Sequence, residues 1–156
     1  FPGKKTYIGP TSGAMGYGMP AAIGAKMAEP ERTVLSLSGD GGFMMTVQEL
    51  ETAVRHKVGI IALVFNNEMY GTIRMHQEIH YPHRVIATDL GNIHFADLAK
   101  SLGAIGFQVS TGNEFEKALA KALNMKDIPV VIEILTDKER ISVSKTITEL
   151  RNSRRH

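Results

Sequence analysis

The 156-residue chain contains no cysteine. That absence removes disulfides, thiolate metal sites and a cysteine nucleophile, and it agrees with a cytoplasmic setting. Long hydrophobic runs are missing as well. No apolar stretch reaches the roughly 18 residues a membrane span requires, and the opening FPGKKTYIG lacks the apolar segment of a signal peptide. Excess charge is also lacking: 18 Lys and Arg against 16 Asp and Glu leave a net +2, too little to argue for nucleic acid. The basic end RNSRRH (151–156) reads as a solvated terminus. There is no initiator methionine, which suggests a processed or excised piece. Repeats, low-complexity segments and linkers are absent, so one domain over residues 1–156 is expected.

What the chain does have is 15 glycines, many in its first half, and 8 methionines. Clustered glycine means a backbone that bends sharply or approaches something closely. Apolar, β-branched runs at 33–38, 59–65 and 129–135, with a weaker one at 106–110, read as buried parallel strands. Helical patterns lie between them at 19–29, 46–57, 94–103 and 113–125. Thr46 and Glu49 have capping-box spacing, with Val47, Leu50 and Val54 on one face behind them. Phe115, Leu119, Ala122 and Leu123 share a face of the last pattern. The alternation predicts a doubly wound, mainly parallel α/β sheet with helices on both faces. Residues 70–92 are the least regular and long for a plain connection, which marks them as functional. Residues 142–150 can form a final helix.

In open α/β sheets, ligands bind beyond the carboxyl ends of the strands. After the first strand comes Gly39-Asp40-Gly41-Gly42; after the second comes Asn66-Asn67-Glu68-Met69-Tyr70-Gly71. If those strands are neighbours, the two loops face each other. Asp40 then offers a carboxylate oxygen, Asn67 an amide oxygen and a nearby main chain a carbonyl oxygen. Three hard oxygens leave room for two phosphate oxygens and a water, an octahedral Mg²⁺ shell. Gly41 and Gly42 can turn bare N–H groups toward a phosphate, near a helix start. Asp-Gly and Asn-Asn are both common turn dipeptides, and either alone reads as a turn. Placed after consecutive strands with a helix between, they read together as a phosphate and metal site.

The motif GDG, then 24 residues (42–65), then Asn66-Asn67 resembles the thiamine diphosphate motif of the family that includes acetolactate synthase, pyruvate decarboxylase and benzoylformate decarboxylase. TSGAMGYGMPAAIGA (11–25) is similar to the stretch that supports the cofactor's V shape in that family, and NNEMYGTIRMHQ (66–77) looks most like the acetolactate synthase branch. The resemblance covers nearly the whole chain and corresponds to the pyrophosphate-binding domain, usually the C-terminal third of a longer polypeptide. It implies that Asp40, Asn67 and the Met69 carbonyl hold Mg²⁺. It implies that the amides of Gly41 and Gly42, with Tyr70, Gly71, Thr72 and Ile73, line the diphosphate. Met15 would wedge between the cofactor's rings beside Ala14, and the Gly13 carbonyl would accept the aminopyrimidine N–H. The chain departs from the pattern at Gly42, where many relatives carry Ser, and at Ile93, where Pro is frequent. Met is adaptable enough for such a wedge; for Met19, Met27, Met44 and Met45 plain core packing is expected.

Two other sites compete. Gly16, Gly18 and Ala21 fit G-x-G-x-x-A, and Asp40 lies 22 residues beyond Gly18, as in a dinucleotide fold. The preceding residues make a poor strand, however, and Asn66-Asn67 is left unexplained. His76, His80 and His83 have zinc-like spacing, but Tyr81-Pro82 interrupts any helix carrying all three. The resemblance instead places His76 and Gln77 near the mouth of the site, within reach of substrate. A non-catalytic cofactor-binding or dimerisation module is a further reading.

In this family a Glu that activates the cofactor belongs to a pyrimidine-binding domain, normally from a partner subunit. Glu49, Glu51 and Glu68 lie in no matching motif and read as helix surface or loop. The resemblance therefore implies a larger homo-oligomeric enzyme acting on 2-oxo acids by decarboxylation and carboligation. A simple 2-oxo acid decarboxylase is the alternative, and in either case this chain alone is expected to be inactive.

Overall fold

The computed structural model describes residues 6–152, in which the apolar runs become four parallel strands. They are β1 (Leu35–Gly39), β2 (Ile61–Asn66), β3 (Ile105–Val109) and β4 (Val130–Leu135), in the order β1-β2-β4-β3. Each begins or ends within two residues of the expected run. The central strands β2 and β4 are buried along nearly their whole length, which is why they read as continuous apolar runs rather than alternating ones.

Helices cover both faces. Against one face pack α1 (Gly18–Ala28), α2 (Asp40–Met44), α3 (Glu49–Arg55) and α5 (Phe95–Ser101), whose Ile23, Phe43, Leu50 and Ala99 enclose Ala62, Val64 and Val131. Against the other lies α6 (Gly112–Ala122), whose Ala118 and Ala122 meet Ile61, Leu63, Val130 and Ile132. The fold is therefore doubly wound, as expected, but its second face is covered unevenly. Leu35 and Leu37 share the face of their partners Ile61 and Leu63, yet are 42% and 65% exposed. Phe65 beside them is 40% exposed. No described helix shields β1 there.

Several local expectations need correction. Thr46 does not cap a helix: α3 begins at Glu49 with no side-chain cap, and the Thr46 hydroxyl donates to the Gly16 carbonyl at 2.8 Å instead. The capping box that does form is Thr111 with Glu114 on α6. Leu123 lies past the end of α6 and is half-exposed, while Ala118 takes its place on the buried face. Of the four methionines expected in the core only Met19 is buried; Met27, Met44 and Met45 are exposed, on the outer side of α1 and at the open end of α2. Residues 70–92 contain a helix, α4 (Gly71–His80), hidden from pattern reading because its interior is polar and its buried residue is Glu78. The final helix, α7 (Ile147–Asn152), starts later than expected.

Arg151 explains the position of α7. It was expected to be solvated, yet its Nε and Nη2 donate to Glu78 Oε2 and Oε1 at 2.9 and 2.6 Å. Residues 153–156 of that basic end lie outside the described residues. Arg74 Nε adds a bond to Glu78 at 3.0 Å and the His83 amide one at 3.2 Å. The two-pronged contact with Arg151, aided by His83 and Arg74, outweighs burial and draws the Glu78 carboxyl from 4.5 down to about 2. A carboxylate depressed in the folded state stabilises fully above its unfolded pKa and loses that effect as pH falls through the folded one. The span from 4.5 to about 2 corresponds to roughly 3 kcal/mol. Thermal melts of the parent and Glu78→Gln should therefore differ most above pH 5 and converge toward pH 2–3. A gap independent of pH would contradict the clamp.

Candidate functional site

Because β1 and β2 are adjacent and parallel, with Gly39 level with Phe65, residues 40–42 and 67–71 leave the sheet at the same carboxyl edge. Asp40 ties the two segments together. Its Oδ1 accepts the Gly41 N–H at 2.8 Å and its Oδ2 the Met69 N–H at 3.2 Å. The residue is only 3% exposed. Burial pushes its carboxyl above the ordinary 3.8, and the amides of Gly41, Met69, Glu68 and Asn67 pull it back only in part. No Lys, Arg or His pairs with it among the described residues. A buried carboxylate facing only neutral donors favours a cation beside it. Asn67 and Met69 line the same cleft as Asp40.

A third segment completes the arrangement. Gly16 holds φ +83°, and its carbonyl is pinned by Thr46. Gly13 is also left-handed, at φ +66°. Between them Met15 is 46% exposed, so it is not a core residue. All twelve residues expected in the site (Gly13, Ala14, Met15, Asp40, Gly41, Gly42, Asn67, Met69, Tyr70, Gly71, Thr72 and Ile73) line one cleft of about 1730 Å³. Its walls also include Leu35 and Leu37, on the uncovered face of β1, and Phe65 of β2 beside them. The cleft is long and apolar along the sheet, with Asp40 and the glycine amides at the carboxyl end of β1. A flat organic group with a diphosphate tail fits that chemistry.

The glycines differ in what they permit. A Cβ on Gly41 would lie 2.4 Å from the Tyr70 ring, so the absence of a side chain lets the two loops touch. A Cβ on Gly42 would meet only the Gly16 nitrogen, at 3.9 Å. Gly42→Ser should therefore fit. It should hold or raise the melting temperature, since a glycine inside a helix costs about 0.5–1 kcal/mol. Thiamine diphosphate affinity should rise severalfold through the added hydroxyl, as read by titration calorimetry; weaker binding would contradict the placement of the diphosphate over this turn.

Sequence reading missed the supports behind the loops. Residues 88–90 run beside residues 68–70: the Tyr70 amide donates to the Thr88 carbonyl at 2.8 Å and the Leu90 amide to the Glu68 carbonyl at 2.9 Å. Asn66 points away from the cleft and bonds Glu133. A lone carboxylate within PVVIEIL could have flagged Glu133 just as Asp40 was flagged. The competing sites are not assembled. Among the described residues no strand precedes Gly16, and Asp40 is turned to the 67–69 loop. His76 and His80 stack on α4 at 6.4 Å, His83 sits beyond its end, and no group of three or more His, Asp or Glu is placed to hold a metal among the described residues. Gln77 uses both arms of its amide on the Ile86 main chain, and neither it nor His76 lines the cleft. Glu51 pairs with Arg55 and Glu68 with Lys138.

Comparison with known proteins agrees with this geometry. Residues 1–134 match the family model described as thiamine pyrophosphate enzyme, C-terminal TPP binding domain. The chain is 36% identical over 128 residues to the acetolactate synthase large subunit of Haemophilus influenzae, covering 81% of this chain and 22% of that protein. It is 36% identical over 143 residues to the sulfoacetaldehyde acetyltransferase of Alcaligenes xylosoxydans xylosoxydans, covering 89% of this chain and 24% of that protein. The solved thiamine diphosphate-dependent 4-hydroxybenzoylformate decarboxylase of Rhodococcus jostii superposes with a TM-score of 0.77 at 35% identity, over 82% of this chain and 24% of that one. The chain thus spans less than a quarter of the length of these relatives.

Proposed function

Since the chain belongs to the family of C-terminal TPP-binding domains of thiamine pyrophosphate enzymes, we propose that it holds Mg²⁺–thiamine diphosphate within a larger enzyme acting on 2-oxo acids. The observation that carries this reading is the buried, cation-less carboxylate of Asp40 at the end of a cleft bounded by the Asn67 and Met69 loop. In this reading Asp40, Asn67 and the Met69 carbonyl bind the metal. The amides of Gly41 and Gly42 and the start of α4 at Gly71–Ile73 receive the diphosphate. Met15 props the two rings, and the Gly13 carbonyl holds the amino group. When bound, the cofactor supplies a nucleophilic carbon and an electron sink for 2-oxo acid chemistry. The chain's own residues bind and orient it; Asp40 turns Oδ1 from the Gly41 amide to the cation and keeps its Oδ2 bond to the Met69 amide, so the two loops stay tied.

The uncovered face of β1, with Leu35, Leu37 and Phe65 in the cleft wall, is where a pyrimidine-binding domain of the same or a partner subunit would dock and supply the activating Glu. Docking of a partner subunit's domain there would make the active enzyme a homo-oligomer. The acetolactate synthase relative favours decarboxylation followed by carboligation. The structural likeness to a 4-hydroxybenzoylformate decarboxylase favours simple decarboxylation as a second reading. Incubating the intact protein with pyruvate and Mg²⁺–thiamine diphosphate separates them: carboligation gives one acetolactate for two pyruvates consumed, simple decarboxylation gives acetaldehyde. No consumption of pyruvate or of an aromatic 2-oxo acid would overturn the proposal.

A further inference from the structure

Among the described residues Glu133 is the buried carboxylate that lies on a strand. It lies on β4, level with Val64 of β2 and Gln108 of β3, and is 0% exposed. Its partners are neutral. Oε1 accepts Asn66 Nδ2 at 2.7 Å; Oε2 accepts the Ala96 amide at 3.1 Å and Gln108 Nε2 at 3.2 Å. A buried charge without a cation is retained at a cost, and an apolar residue of similar volume commonly serves stability as well or better. Its role is therefore to be sought in what it orients.

That object is Asn66, the residue before the expected metal ligand Asn67. Glu133 and the Ile93 carbonyl (3.3 Å) take the two hydrogens of the Asn66 amide nitrogen and leave one orientation for the group. In that orientation Oδ1 accepts the Glu68 amide at 3.1 Å. Glu68 is a non-glycine residue at φ +54°, a conformation that needs such support. Its position fixes how Asn67 leaves the strand and where Met69 meets Asp40. The main-chain oxygen of Asn66 is held too, by the amide and hydroxyl of Thr136 at 2.9 and 3.1 Å. The main chain at the strand end is thus held independently of the side-chain amide.

We propose that Glu133 is a positioning residue for the metal loop, acting through Asn66 and the left-handed Glu68 to set the Asn67 and Met69 oxygens. The inference rests on the reading of Asp40, Asn67 and Met69 as the Mg²⁺ site. A mutation behind a metal ligand typically costs 10–100-fold in metal affinity.

The test is titration of the intact protein with Mg²⁺ at fixed thiamine diphosphate, read by calorimetry, together with a thermal melt without cofactor. Glu133→Gln keeps the volume but turns an NH₂ toward donors, and should raise the half-saturating Mg²⁺ concentration 10–100-fold. Glu133→Asp keeps the charge but withdraws it from Asn66, and should weaken Mg²⁺ binding in the same direction; it carries the test if Glu133→Gln does not fold. Ile132→Ala, on the same strand and the opposite face, provides a purely structural loss. It should lower the melting temperature while leaving Mg²⁺ half-saturation within about twofold of the parent's. Parental Mg²⁺ binding in the Glu133 variants, or an equal loss of affinity in Ile132→Ala at matched stability, overturns the inference while leaving the site in place. A parent that shows no Mg²⁺-dependent binding overturns the site and the inference together.

Discussion

Asp40→Ala is expected to weaken thiamine diphosphate binding in the intact enzyme by more than about 100-fold, because changes even one step behind a metal ligand commonly cost 10–100-fold. The substitution removes the carboxylate of the proposed three-oxygen set and the one charge proposed to face the cation. It also frees the Met69 amide, which Asp40 holds at 3.2 Å, so the second loop loses its tie to the first. The free protein should behave differently. Burial holds the Asp40 carboxyl above its ordinary pKa, so its charge opposes folding near neutral pH when no cation is bound. Asp40→Ala should consequently cost little melting temperature without cofactor while abolishing the stabilisation that Mg²⁺ and thiamine diphosphate give the parent. Melts with and without both ligands check this. An unchanged ligand-induced shift in the variant would remove Asp40 from the site.

The 156-residue chain on its own is expected to show no turnover of pyruvate above that of free cofactor. Asp40 and Glu29 are the carboxylates among the described residues that line the cleft. Asp40 faces the 67–69 loop. Glu29 follows α1, near the opposite end of β1, and is distant from the diphosphate end. Glu49 lies in the first turn of α3, and Glu51 and Glu68 have basic partners, so none of the three is placed to activate the cofactor. General acid–base help is worth about 10²–10⁴-fold, and a cofactor ring left unclamped on the open β1 face loses orientation as well. Gel filtration should show the isolated chain self-associating through Leu35, Leu37 and Phe65. Turnover by the monomeric chain would mean that an activating acid lies within it.

The parts of the fold legible in the sequence were those governed by burial on both faces. The runs that became β2 and β4 are almost wholly apolar because helices cover both sides. Asp40 and Asn67 were legible for the opposite reason: polar residues set among glycines and strand ends are costly unless they bind something. What escaped was fixed by contacts distant in sequence. Helix α4 buries a carboxylate whose strongest support is Arg151, 73 positions later, with Arg74 and the His83 amide beside it. Thr46 had the spacing of a cap, yet its hydroxyl bonds a loop 30 residues earlier, and local pattern cannot distinguish the two uses. Met27, Met44 and Met45 have core chemistry but lie where no element packs over them. The bare face of Leu35 and Leu37 was invisible in composition, since a strand beside an unfilled cleft has the same residues as one beneath a helix.

The most direct measurement is a calorimetric titration of the intact protein with thiamine diphosphate at graded Mg²⁺ concentrations, with Asn67→Ala in parallel. The account predicts saturable, one-to-one binding that tightens with Mg²⁺, is abolished by a chelator and is lost in Asn67→Ala. Binding of equal strength without the metal, or undiminished in Asn67→Ala, would contradict it.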